Sequence, residues 1–440
     1  MQHCTAAHTT TARLPGSHLK LFCIMVSTRS GRHTNVETGP SRCLDALIIA
    51  LNQASGGEWY TSTMQLQLTS LELCAACRSM HLLKLNVQHG TPPRLWRGTA
   101  TTRETRSVKR RNVTRVPVVR ARTVTWKLPG VALRNMTGDA WSEVTTFSLG
   151  PGFDDDLPRG IQWPEKLTLF GVGPGFNRSV EHLSLPASVR FLVFGASFNM
   201  PMDNFAWPPL LRVLVLGPSF SQPIHPGAFP ESLQVLLFQG DFTHPVEGLV
   251  WPRSLLQLYV WGVLAQPLGR ISWPASLQVL LFGHLRNESL DEVTWPESLR
   301  LLTIGSGFNR PIHRIRWPAS VRELCVGRDF DQPIDKVTWP ASLSELNLGD
   351  KFNHPIDKVT WPPSLMKIVF GQCFDQAIGD VSWPASLRQL TFSRDFRLPD
   401  ESFEWPASLE QLTIAWPPGE DLPSWPGVRV SGVWNLFWYV

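Results

Sequence analysis

The only residues with the spacing of a metal or redox site are Cys74-Ala-Ala-Cys77, with His81 close behind. A thiolate pair of this kind supplies half of a zinc site, or cycles as a disulfide when it sits in a βαβ setting. No second pair and no such setting accompany it, so it reads as structural or incidental, and no metal is assigned. Gly171-Val-Gly173-Pro-Gly175 looks like a phosphate loop, yet no helix follows whose N-terminus could receive a phosphate. Asp154-Asp155-Asp156 offers carboxylates to a hard cation, but successive side chains in a loop diverge into water rather than converge. There is no nucleophile elbow, no His-Glu-x-x-His and no Walker sequence. The chain therefore reads as having no catalytic residues and no cofactor.

Positive charge is the remaining candidate chemistry. Arg103, Arg106, Lys109, Arg110, Arg111, Arg115, Arg120 and Arg122 face only Glu104 in their tract, and Lys109-Arg110-Arg111 has the composition of a nuclear-import signal. Aromatic residues that would stack on bases are missing, so a solvated linker is the preferred reading and nucleic acid is not expected as a partner. The formal net charge of +5 hides an asymmetry: residues 1–125 carry 17 Lys and Arg against 5 Asp and Glu, the remainder 24 against 31. Five of the seven cysteines (Cys4, Cys23, Cys43, Cys74, Cys77) lie in that basic head, unevenly spaced, which implies no disulfide framework and a reducing compartment, cytoplasmic with nuclear as the alternative. The run Leu19 to Val26, broken by Lys20, is far short of the roughly 20 residues of a membrane span, so no membrane is expected. The first 36 residues lack Asp and Glu altogether and are expected to be disordered.

What must position any site is set by a repeat. Among 440 residues there are 19 Trp, 37 Pro and only 3 Tyr, a bias that requires systematic use of Trp and Pro. Trp-Pro or a variant recurs every 22 residues: Trp163, Leu185, Trp207, Phe229, Trp251, Trp273, Trp295, Trp317, Trp339, Trp361, Trp383 and Trp405 are each followed by Pro. Taking that first residue as offset zero, offsets four, seven and nine are apolar in all twelve units, as in Leu299, Leu302 and Ile304. Gly occupies offset ten in eight units and Phe offset thirteen in nine.

Pro at offsets one and sixteen with Gly between them leaves no useful length of helix. Alternating apolar residues from offset five to nine, stopped by Gly, mark a short strand. Identical units run in one direction, so their strands must pair in parallel, and the product is a β-solenoid. Twelve strands at about 4.8 Å give a sheet on the order of 58 Å long. Offsets four, seven, nine, thirteen and seventeen point inward as apolar ladders. Five buried side chains at roughly 1.5–3 kcal/mol each do not offset about 1–2 kcal/mol of backbone entropy for each of 22 residues, so a unit folds only by stacking on its neighbours. The expected fold is mainly β, a leucine-rich-repeat-like parallel solenoid of about twelve coils. Its expected divisions are a weakly structured region 1–125, degenerate cap coils 126–162, repeats 163–426 and a C-terminal cap 427–440.

The pattern Pro-x-Ser-Leu-x-x-Leu-x-apolar-Gly followed by Phe-Asn-x-Pro-Ile resembles the FNIP repeat family, a short-period relative of leucine-rich repeats. Pro296 to Ile312 and Pro340 to Ile356 carry it most clearly, although most units here open with Trp-Pro where the family has Leu-Pro, as at Leu185-Pro186. The resemblance implies a leucine-rich-repeat-like coil and a protein-interaction role, and brings no catalytic residue with it.

Offsets six and eight point away from the core, onto the outer face of the sheet, and there the units differ. The early coils place Phe191, Val193, Val213, Val215, Val235, Leu237, Tyr259, Val279 and Leu281 on that face; the later ones place Glu323, Cys325, Glu345, Asn347, Lys367 and Gln389. The apolar set is expected either to bind a protein partner or to dock the chain's own head, in particular residues 43–95. The expected function is a non-enzymatic scaffold that binds protein. Alternatives are an adaptor or substrate receptor of a larger assembly such as a ubiquitin ligase, and a solenoid that binds glycan on its row of Trp. The row itself is expected to stack along one corner as packing.

Overall fold

In the computed structural model each 22-residue unit is one short strand and three turns, and proline chemistry sets the first turn. The N–H of the residue at offset four donates to the carbonyl of the proline at offset one, as in Leu299 to Pro296 (3.0 Å) and Leu343 to Pro340 (3.1 Å). Proline cannot donate to the ladder, so it belongs at the turn that precedes the strand rather than within it. A second turn is closed by the N–H at offset thirteen on the carbonyl at offset ten, as in Phe198 to Gly195 (3.2 Å). The third joins offsets twenty and seventeen, as in Ile315 to Ile312 (3.2 Å). The residue that closes a turn is apolar and buried in most coils, with the half-buried Ala228, Val381 and Phe403 as exceptions, so most changes of direction are pinned by the core.

The structure describes residues 84–86, 123–126, 133, 136 and 139–433, the last stretch with gaps at 226, 247, 394–395, 401 and 417–420. All lie in the compact unit Gly39–Val440. The expectations for the first 36 residues, for Cys74, Cys77 and His81, and for the tract Arg103 to Arg122 fall outside the described residues.

Ahead of the repeats come β1 (Lys84–Asn86), β2 (Thr123–Trp126), a single helical turn α1 (Asp139–Ser142) and β3 (Thr146–Leu149). The repeats then contribute β4 (Leu169–Gly171), β5 (Phe191–Val193), β6 (Val213–Leu216), β7 (Val235–Phe238), β8 (Gln257–Val260) and β9 (Val279–Phe282). They continue with β10 (Leu301–Thr303), β11 (Glu323–Cys325), β12 (Glu345–Asn347), β13 (Lys367–Val369), β14 (Gln389–Phe392) and β15 (Gln411–Ala415), and β16 (Arg429–Val433) follows. All sixteen strands pair in chain order in one parallel sheet. The register between repeat strands is the sequence period itself, Glu323 on Glu345 on Lys367. It departs from the period at the ends, where Thr146 meets Leu169 and Gln411 meets Arg429.

Offsets four, seven, nine and thirteen form the inward ladders, buried throughout the array wherever they are apolar. In the unit that starts at Trp273 the buried place of offset thirteen is taken one residue early by Leu285, so that Arg286 reaches the surface. Offset seventeen is buried as far as Ile378 apart from the half-buried Ile224, and fails at Asp400 and at the exposed Leu422. A further ladder runs along offset twenty, through Leu183, Phe205, Leu249, Ile271, Val293, Ile315, Val337 and Val359. The Phe column stacks nearly flat: Phe308, Phe330, Phe352 and Phe374 follow one another at 6.3, 6.1 and 6.0 Å with their planes within 6°. The glycine column lies where neighbouring backbones touch. Gly349 has φ +81°, and a Cβ there would collide with the carbonyl of Gly327.

Candidate partner-binding face

Two polar ladders hold the coils in register and leave the outer face free to vary. At offset three the serine hydroxyl donates to the carbonyl at offset four of the preceding coil, as in Ser298 to Leu277 (2.6 Å), Ser320 to Leu299 (2.7 Å) and Ser386 to Leu365 (2.7 Å). At offset fourteen an Asn or Asp side chain accepts the N–H of its counterpart one coil on: Asn199 from Ser221 (2.9 Å), Asn309 from Asp331 (3.0 Å), Asn353 from Asp375 (3.0 Å). The Asn of the Phe-Asn-x-Pro-Ile motif is therefore a backbone acceptor. Asp154 belongs to the same ladder: it takes the N–H of Asn177 (3.1 Å) and pairs with Arg178 (3.2 Å), so it is engaged in packing the first coils. Among the described residues no group of three or more potential ligands gathers as a metal site.

The nine apolar residues expected on the outer face do converge there. Val193, Val213, Val215, Leu237 and Tyr259 form a second hydrophobic cluster separate from the solenoid core, and Phe191, Val235, Val279 and Leu281 pack around it, half-buried. Two neighbours join them that sequence reasoning left out of the set. Trp261 stands where the glycine column is interrupted and packs on the cluster. Gln257 is buried and accepts a hydrogen bond from the Tyr259 hydroxyl at 3.2 Å. The absence of Gly at offset ten in that unit was the available signal for Trp261.

Further along the sheet the face is polar. Glu345 on β12 pairs with Lys367 on β13 at 3.0 Å, while Glu323 and Gln389 are exposed. At the turn beyond the strands, Lys351 meets Asp329 at 2.7 Å and Arg328 meets Asp350 at 3.3 Å. The hydrogen bond from Lys351, helped by the N–H of Gly307 (2.9 Å), holds the Asp329 carboxyl below the usual carboxylate range, whereas burial pushes Asp350 up. Cys325 lies on β11 between Thr303 and Asn347, and burial pushes its thiol up to about 12.

The Trp row is packing. Trp251, Trp295, Trp339, Trp361 and Trp405 are buried and Trp163, Trp207, Trp273, Trp317 and Trp383 pack half-buried on the core. Trp361 and Trp383 stack at 6.3 Å with planes 10° apart.

The FNIP Repeat family model matches residues 308–351, 330–373 and 352–395, each window one coil beyond the last. These are FNIP repeats. The matched windows cover β11 to β14, and the flanking coils continue the same register. Among solved structures, CroV588, described as a novel circular LRR protein, aligns over 70% of this chain and 52% of its own, with 24% identity and a TM-score of 0.54. The chain thus spans about half the length of that protein, and the likeness shows a leucine-rich-repeat-type fold alone. Looser similarities include an internalin (inlF) from Listeria monocytogenes, with 14% identity and a TM-score of 0.42 over 62% of this chain and 81% of its own. TLR13, solved as a TLR13-ssRNA13 complex, gives 15% identity and a TM-score of 0.45 over 67% of this chain and 47% of its own. No curated protein matches the sequence. Among the described residues no helix is long and apolar enough to cross a membrane.

Proposed function

We propose that the FNIP array is a non-enzymatic cytoplasmic scaffold that binds a protein partner through the outer face of its parallel sheet. The supporting observation is a division of labour within each strand. The inward residues Leu302, Leu324, Leu346 and Ile368 repeat one type, whereas their outward neighbours run Leu301 and Thr303, Glu323 and Cys325, Glu345 and Asn347, Lys367 and Val369. Packing needs sameness from coil to coil; a recognition surface needs difference. On this reading the apolar set from Phe191 to Leu281 supplies the anchor, and the polar face of β11 to β14 supplies the rim that selects the partner.

The test is an exchange of charge, Glu345→Lys with Lys367→Glu, which keeps the cross-strand pair and inverts its pattern on the face. Pull-downs from host lysate with the full chain, this variant and a control exchange on the opposite surface (Asp335→Lys with Lys336→Asp) should recover the same proteins with the first and third and lose them with the second. Recovery that is equal with all three would remove the outer face as the binding surface.

A further inference from the structure

Where an arginine of this array stands beside a carboxylate one coil away the two pair, as Arg328 does with Asp350 and Arg388 with Glu410. Two sets of arginine at the entry to the strands have no such neighbour. Arg190 and Arg212 immediately precede β5 and β6, and Arg300 and Arg322 immediately precede β10 and β11. Within each set the backbones are joined: the Arg190 carbonyl accepts the N–H of Arg212 at 2.9 Å, and the Arg300 carbonyl that of Arg322 at 2.8 Å. Like charges therefore stand on chain segments one strand spacing, about 4.8 Å, apart, which is unfavourable without a counter-charge. Arg212, Arg300 and Arg322 are exposed, and Arg190 is half-buried with Nη1 donating to the Ala187 carbonyl at 3.0 Å. None of the four enters an ion pair among the described residues. Along the same border Phe191, Val235, Leu256, Val279 and Leu301 are half-buried, an apolar strip that remains partly open.

We propose that the partner of this face is an amphipathic α-helix with carboxylates at both ends, laid across β6 to β10 so that its apolar stripe meets the strip and its ends meet the two arginine sets. This names the partner's chemistry for the function proposed above and rests on that reading. Charge argues for it, because guanidinium groups take carboxylates with paired hydrogen bonds. Spacing sets the length: Arg212 to Arg300 is four strand spacings, about 19 Å, which a helix covers in about thirteen residues. Backbone chemistry selects the helix. The strands bond to one another within the sheet, so its face offers no N–H or C=O to an extended peptide crossing it, whereas a helix satisfies its own. Glu323 and Glu345, on β11 and β12, put negative charge beyond Arg300 and so limit how far an acidic helix can run. Gln234, Leu256 and Gln278 separate the two arginine sets, so the border is no continuous track for a phosphate backbone.

The test uses the full chain as bait for a phage-displayed library of helices of about 20 residues. Leu is fixed at i, i+3, i+4, i+7 and i+11, and every other position is Glu, Lys, Gln or Ala at random. Selection should enrich Glu over Lys at least tenfold, in two clusters about thirteen residues apart. A synthetic peptide of the selected sequence should bind at least tenfold more weakly to Arg212→Ala with Arg300→Ala. Arg212→Lys with Arg300→Lys should restore most of that affinity, and Arg314→Ala with Arg316→Ala, at exposed positions away from the outer face, should leave it unchanged. Enrichment of Lys, no preference in charge, or binding that ignores the arginines overturns the proposal. So does tighter, arginine-dependent binding of a 20-nucleotide oligothymidylate, which would make the ligand a nucleic acid. Failure in any of these ways, with partner recovery still lost to the exchange of Glu345 and Lys367, overturns the helix and leaves the proposed function standing. Arginine-dependent binding of the peptide, with recovery untouched by that exchange, supports the helix and removes the rim assigned to β11 to β14.

Discussion

Asn309 Oδ1 accepts the backbone N–H of Asp331 at 3.0 Å, from one coil to the next, and the N–H of Asn309 in turn donates to Asn287 Oδ1 at 2.9 Å. Gln332 Nε2 donates to the same Asn309 oxygen at 2.9 Å. Truncation at this position leaves the Asp331 N–H without its acceptor, which costs about 1–3 kcal/mol in a partly buried setting. Asn309→Ala is expected to lower the urea midpoint accordingly, while Asn309→Asp, which keeps an acceptor of the kind Asp331 and Asp375 already provide, should lower it far less. Identical midpoints for the two variants would show that the ladder contributes nothing.

The stacked columns should be the largest single contributions to stability. Phe352 is fully buried between Phe330 and Phe374, and Trp295 is buried in the Trp row. Phe352→Ala or Trp295→Ala is expected to cost about 3–5 kcal/mol through lost transfer energy and a residual cavity. Leu210→Ala, at a side chain 48% exposed, should stay within about 0.5 kcal/mol. Because each coil touches only its neighbours, the Phe352 cavity should also separate the melt into two transitions, one from each side of the break. A thermal melt that Trp295→Ala leaves unchanged would contradict the structural role of the row.

Most of the core was readable because packing is what repeats: Leu299, Leu302, Ile304, Phe308 and Ile312 fall at offsets that are apolar through nearly the whole array. The offset-twenty ladder carried the same signal, in Val293, Ile315 and Val337, but stood next to the polar residue that closes each unit (Thr294, Arg316, Thr338) and was not separated from it. Ser320 could not be placed from sequence, because its partner is a main-chain carbonyl of the previous coil, and carbonyls have no letter. The place of Leu285 in the Phe column was not legible, because a one-residue slip moves the buried position there from offset thirteen, which is Arg286, without changing the length of the unit. On the outer face the residues themselves were legible. The depth of burial of Tyr259 was not, since it depends on side chains such as Trp261 that pack on it from the neighbouring positions of the face.

Acid should weaken the array partly through Asp329. Its carboxyl titrates below the ordinary range, chiefly because Lys351 donates to it at 2.7 Å. A depressed folded-state pKa contributes stability that is complete above the unfolded value of about 3.9 and is lost as pH falls through the folded value. Asp350, raised by burial, has the opposite sign and takes up its proton earlier in the folded state. Asp329→Asn is therefore expected to lower the denaturant midpoint at pH 7, by a difference that closes toward pH 2, while Asp350→Asn should not lower it. A difference for Asp329→Asn that is constant from pH 7 to pH 2 would rule out titration of this carboxyl as its source.

Cys325 and Cys373 should differ sharply toward an alkylating reagent. Thiolate is the reactive form, and burial pushes the Cys325 thiol up to about 12, only partly opposed by the N–H of Gly327 and reinforced by the charge of Asp350. At pH 8 that leaves a thiolate fraction on the order of one in ten thousand. Cys373 lies at an exposed turn of the next coil but one. Brief treatment of the native full chain with iodoacetamide, followed by peptide mass mapping, is expected to modify Cys373 at least tenfold more than Cys325. In concentrated urea the two should react alike, because the desolvation that separates them exists only while β10, β11 and β12 are stacked. Because Cys325 is half-buried rather than sealed, fast native labelling would show that burial does not hold its thiol up.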